Sequence, residues 1–181
     1  VKAGTAQTVE AQTIALGSTS TLYTAWTEVK FVFTPDTDGE YCFSIHMKQS
    51  TTLSRDHGSI GIDDVTITGY APAAGGEPVT PPSSEPTAFE FFEDFDDASH
   101  FANGGIVPDG WLSTGSYDYS TPYRCVSWDA GIMPCSGEYI LHSLDNVSAE
   151  RDEVLYTPMM KLAGGKEATI SFYIYAAGGY N

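Results

Sequence analysis

The sequence predicts an all-β fold, and three observations predict it. Short segments alternate apolar and polar residues at a period of two, the mark of half-buried strands. Clusters of Gly, Pro, Asp and Ser punctuate these segments at short intervals. Glycine, threonine, serine and tyrosine are abundant throughout the 181 residues.

In chain order, Thr27, Val29, Phe31 and Phe33 share one face of a first clear strand. Thr34 to Gly39 is a turn, and Tyr41, Phe43, Ile45 and Met47 line one face of the next strand. The pair is expected to form a hairpin with a longer loop. Residues 51–58 read as a loop and Ile60 to Thr68 as a strand. Residues 71–88 change character: Pro, Ala, Gly and Ser dominate, with almost nothing to build a core. That composition reads as an extended, semi-stiff linker. Phe89 to Phe95 is an aromatic-acidic strand, and residues 96–135 are loop-rich. Glu138 to Leu144 is a short strand, and Glu153 to Met160 another, interrupted by Pro158. Ala163 to Lys166 is a turn, and Ala168 to Tyr175 is a strong strand with Ile170, Phe172 and Ile174 on one face. The expected organisation is therefore a segment 1–70, a linker 71–88 and a segment 89–181. Each segment is small for an independent β-sandwich.

Aspartate and glutamate number 24 against 8 lysines and arginines, a formal net charge of −16. This excludes a nucleic-acid partner, which needs a basic footprint, and disfavours an anionic membrane surface. Disorder does not explain the acidity, because hydrophobic residues make up 41% and aromatics 13%. No apolar run reaches the roughly 18 residues of a membrane span.

Of the three cysteines, Cys42 lies in an apolar strand pattern and reads as a small core residue. Cys125 and Cys135 flank a short stretch containing Gly and Pro. A local disulfide and two separate thiols are both compatible with that spacing. No Cys/His set has zinc-site spacing.

Phe89–Asp97 followed by Gly110-Trp111 resembles the opening of the cleaved-adhesin, or MAM-like, jelly-roll domains of bacterial surface proteins. Glu153 to Pro158 is similar to that family's acidic segment ending in a proline, and Lys166 to Tyr175 to the strand after it. The family's second half resembles residues 1–70: Trp26, then Val29–Phe33, Gly39 to Met47, and Ile62 to Ile67 with Asp63-Asp64. The resemblance covers nearly everything but the linker and implies a jelly-roll β-sandwich. After Trp111, some relatives carry an Asp-rich calcium loop. Here Ser116 to Ser120 stands instead, and no metal is expected there.

The order is out of phase: the second half of a domain, a linker, then the first half of the next. A tandem array cut within a domain gives this order, as does the junction of two unlike domains; the first is the expectation adopted. In that register 89–181 plus 1–70 make one jelly roll of about 160 residues. It would be completed by a neighbouring copy or within one chain as a circular permutation. The first strand after the linker is then expected to pair near the Asp63–Asp64 strand.

Alternation places Asp63 on the face of Val65 and Ile67, and Glu93 on that of Phe91 and Phe95. A buried carboxylate without a partner is expensive, and basic partners are scarce. A hard cation with oxygen ligands resolves this, and Ca²⁺ fits best. In the resembling domains a structural calcium joins the first and last strands. Carried over by position, that implicates Glu93, Asp94, Asp63 and Asp64, with Asp152 and Asp145 as additions from the 145–153 loop. The other reading is that these acids cap turns or face solvent.

Trp111, Tyr117, Tyr119, Tyr123 and Trp128 sit in loop-like sequence. They suit sugar stacking or protein contact, or cover the sandwich edges. His46, His57, His100 and His142 fall in no catalytic motif, and catalysis is not expected. The expected function is a non-catalytic repeat unit of a secreted or cell-surface adhesin. It would act as stalk and binding module, with neighbouring copies and host or surface glycans or proteins as partners. The alternative is an accessory carbohydrate- or protein-binding module of a larger secreted hydrolase.

Overall fold

The computed structural model describes residues 1–18, 23–49, 59–73, 85–101, 107–114, 123–126, 133–144 and 151–177. Twelve strands are found among them. Before the Pro-rich stretch these are β1 (Lys2–Gly4), β2 (Ile14–Ala15), β3 (Thr27–Phe33), β4 (Gly39–Gln49) and β5 (Ser59–Ala71). After it come β6 (Thr87–Glu93), a short 3-10 helix (Ala98–Phe101), β7 (Leu112–Thr114), β8 (Tyr123–Val126) and β9 (Tyr139–Leu144). The last three are β10 (Arg151–Tyr156), β11 (Met160–Leu162) and β12 (Ala168–Ala177).

The strands form two antiparallel sheets, packed as a β-sandwich. The first runs β2-β1-β4-β10-β7, with β11 also on β4; the second runs β3-β12-β5-β9-β8, with β6 also on β5. Both segments contribute strands to both sheets. Successive strands β3, β4 and β5 alternate between the sheets, as do β9, β10 and β12; this is the jelly-roll manner of connection.

The inward faces are those the alternation indicates. Tyr41, Phe43, Ile45 and Met47 are buried from the first sheet, and Ile67, Ile170 and Phe172 from the second. The expected β3–β4 hairpin does not form. β3 pairs with β12 and β4 with β1 and β10. The turn between them is a corner from one sheet to the other. Phe33 consequently meets Tyr41 and Phe43 across the core, ring centroids 5.3 and 6.2 Å apart in edge-to-face geometry. Alternation cannot separate a hairpin from such an arch, because both point the same residues inward.

Two long strands each carry a pair of shorter ones on a single edge. Along β4, β10 pairs from Gln49 to Ser44 and β11 from Tyr41 to Gly39. Between them Pro158 has no N–H to give, and Thr157 serves in its place. The Phe43 N–H donates to Thr157 Oγ1 at 3.0 Å, and the Thr157 N–H donates to the Phe43 carbonyl at 2.9 Å. Along β5, β9 pairs at Ser59–Ile62 and β6 at Val65–Ala71. β6 thus lies beside the Asp63–Asp64 region, as expected, with Glu93 opposite Val65. The ends of the Pro-rich stretch lie side by side, Ala71 opposite Thr87.

Candidate functional site: a carboxylate seam

The place on β5 where β9 gives way to β6 is Asp63–Asp64. Here β5 carries one residue more than β12: Ser171 pairs with Thr66, but Tyr173 pairs with Asp63. This is a β-bulge, and Asp64 takes the left-handed conformation (φ 50°) that such a bulge demands. Aspartate tolerates that region better than most residues. The bulge overturns simple alternation. Ile62, opposite Ile174, still points into the core, so Asp63 lies on the outer face with Tyr173, opposite to Val65 and Ile67.

Asp63 is nevertheless fully buried, because the segment 133–138 covers it. Its Oδ2 accepts the N–H of Cys135 at 2.9 Å and of Ser136 at 3.3 Å; Oδ1 accepts the Asp64 N–H at 2.9 Å. Asp64 Oδ1 accepts the Ser136 hydroxyl at 2.6 Å. The covering segment is also held at its start, where the Trp26 indole N–H donates to the Met133 carbonyl at 2.6 Å. Trp26 lies over Gly61, where a Cβ would strike its ring, and beside Tyr175.

From the β6 side, Asp96 closes the seam. Its Oδ1 accepts the N–H groups of Glu138 and Tyr139, both at 2.9 Å, which starts β9. Gly137 makes this approach feasible: at φ 57° it is left-handed, and any Cβ would overlap the Asp96 carboxylate. Glu93, buried among inward-facing residues, accepts the Phe95 N–H on Oε1 at 2.8 Å and meets His100 Nδ1 through Oε2 at 2.9 Å. Phe95, also left-handed (φ 61°), points into the core against Trp111. Asp94 Oδ1 accepts the Asp96 N–H at 3.0 Å.

Burial and the neighbouring Asp64 charge push the Asp63 carboxyl up to about 7, against the pull of its three amide partners. Burial likewise raises Glu93, offset by the Phe95 N–H and His100. Burial and the two adjacent carboxylates push the Cys135 thiol up to about 11. Burial at the seam therefore favours the protonated form of Asp63 and Glu93, while oriented backbone N–H groups pull the other way.

Four of the six acids expected at a metal, Glu93, Asp94, Asp63 and Asp64, lie at this seam. As arranged they accept N–H and hydroxyl donors. No group of three or more His, Cys, Asp or Glu side chains at metal-binding spacing is found among the described residues. Asp152 lies in β10 with its side chain outside the described residues, as does Asp145 entirely. Trp111 is not an exposed platform but a core residue, 7% exposed and packed on Phe91 and Phe95. Tyr117, Tyr119 and Trp128 lie outside the described residues, and so does the side chain of Tyr123. Cys42 and Cys135 form no disulfide among the described residues; the Cys125 side chain lies outside them. Asp96, His100, Ser136 and Gly137 belong to the seam but were not expected there. The signal available was the acidic run Glu93 to Asp97, which continues past the strand.

Comparison of the chain with protein-family models, with curated proteins and with solved structures finds no match in any of the three.

Proposed function

We propose that the chain is a non-catalytic structural and binding module of a secreted or cell-surface adhesin, flanked by further copies or domains. The observation that carries this is how the seam's acids are used. Asp63 and Asp96 accept five backbone N–H groups between them. These carboxylates join strands that are far apart in sequence, which is an architectural use. The acidic surface suits a neutral or basic partner, and its self-repulsion favours solubility. The test presents the labelled chain to arrayed glycans and immobilised extracellular proteins, with the eluted ligand checked for cleavage. Retention without turnover is expected. Turnover of a glycan or peptide would replace this reading with an enzyme.

A structural calcium is the second reading. It is favoured by the burial of Asp63, Glu93 and Glu153 in a chain with only 8 lysines and arginines. Oxygen ligands from carboxylates and carbonyls are what Ca²⁺ takes. Calorimetric melting with added calcium and with a chelator tests it. Superimposable curves would remove calcium from the account.

A further inference from the structure

Residues 5–13 form a strap across the outer face of the first sheet. Gly4 is opposite Cys42 there, and Tyr156 is opposite Ser44. Cys42 and Ser44 point away from the core that Tyr41, Phe43 and Ile45 enter, yet Cys42, Ser44 and Tyr156 are buried. The strap is clamped by Gln7, whose Nε2 donates to the Gly110 and Thr157 carbonyls, both at 2.8 Å. Gln12 turns inward beneath it, 4% exposed. Its Nε2 donates to the Ala6 carbonyl at 2.9 Å and lies 3.2 Å from Cys42 Sγ. Gly4 makes this contact feasible, because a Cβ there would collide with the Ala11 carbonyl and Gln12 Nε2. Two buried atoms of this layer have no hydrogen-bond partner among the described residues: Gln12 Oε1 and the Tyr156 hydroxyl.

We propose that Cys42 and Gln12 join in an internal thioester, a covalent site whose ligand class is the primary amine. The Cys42 sulfur bonds to Gln12 Cδ, the Cδ–Nε2 bond breaks, and the thiol proton leaves with the nitrogen as ammonia. No oxidant or reductant is needed. The sulfur already accepts a hydrogen bond from the nitrogen that must depart, which holds it against the Gln12 amide. An orphaned amide oxygen is costly to bury. A thioester carbonyl is a weaker acceptor, so conversion of the amide lowers that cost. The strap excludes the water that would hydrolyse the bond. When an amine attacks the carbonyl carbon, an amide forms and the thiol returns to Cys42. Use of the bond as a covalent tether rests on the surface-module reading; its existence does not.

The test is the intact mass of the full chain, denatured in acid and reduced with a phosphine. The expected mass is one ammonia below that of the sequence, with two of the three cysteines alkylated. Methylamine should then add once and free the third thiol. Cys42→Ser and Gln12→Glu, each checked by circular dichroism for the wild-type fold, should lose the deficit. A chain of full mass with three alkylated thiols overturns the proposal, as does a deficit that survives in Cys42→Ser.

Discussion

Asp63 shows how one residue sets a pH response. In the unfolded chain its carboxyl titrates near the ordinary aspartate value of about 3.9. In the folded chain it is pushed up to about 7. The folded state therefore holds a proton that the unfolded state has released. Its contribution to stability is full below about pH 4 and is lost as pH rises through about 7. Urea denaturation should give a lower unfolding free energy at pH 8 than at pH 5, and Asp63→Asn should flatten that difference. A wild-type profile that rises across this window would contradict the assignment. Gly137 is a second single-residue test. Gly137→Ala strains a left-handed backbone and displaces the Asp96 carboxylate, so it should cost about 1–3 kcal/mol in thermal or urea unfolding. The same change at Gly165 (φ 69°), where nothing lies near the new methyl, should cost less.

Element by element, the sandwich uses one device twice: a long strand with two short strands along one edge, and a side chain at the join. On β4 the joining side chain is Thr157, and on β5 it is Asp63 with Asp96. Thr157→Val keeps the shape but removes the oxygen that accepts the Phe43 N–H. A buried orphaned donor costs about 1–3 kcal/mol, measurable as a fall in the urea midpoint at unchanged slope. Trp111 belongs at this scale because it pins the excursion between β6 and β9 to the core. Trp111→Ala should cost about 3–5 kcal/mol. Loss of ligand binding without loss of stability would show instead that the ring serves an exposed site.

Much of this was legible in the sequence. The strands with strong period-two patterns, β3, β4, β5, β6 and β12, fall where expected within a few residues. Their buried faces were readable because burial selects apolar residues at alternate positions. Short β1, β2, β7 and β8 were not legible: two to four residues carry no period. Asp63's orientation was misread because a bulge shifts the phase by one residue. The seam's partners were missed for another reason. Asp63 is bonded to backbone N–H groups 72 and 73 residues away, and every residue type but proline supplies such a donor.

At the scale of the whole molecule, the segments on either side of the Pro-rich stretch are two interleaved parts of one sandwich. β5 is flanked by β12 on one side and by β9 and β6 on the other, all three from beyond that stretch. β4 likewise depends on β10 and β11. Neither segment can close its own core, and cooperativity should be shared. The direct measurement is to produce residues 1–73 and 85–181 separately and follow each by circular dichroism during heating, alone and as an equimolar mixture. The account predicts no cooperative transition from either piece alone and a single sharp one from the mixture. Two pieces that each melt cooperatively alone, unchanged on mixing, would contradict it.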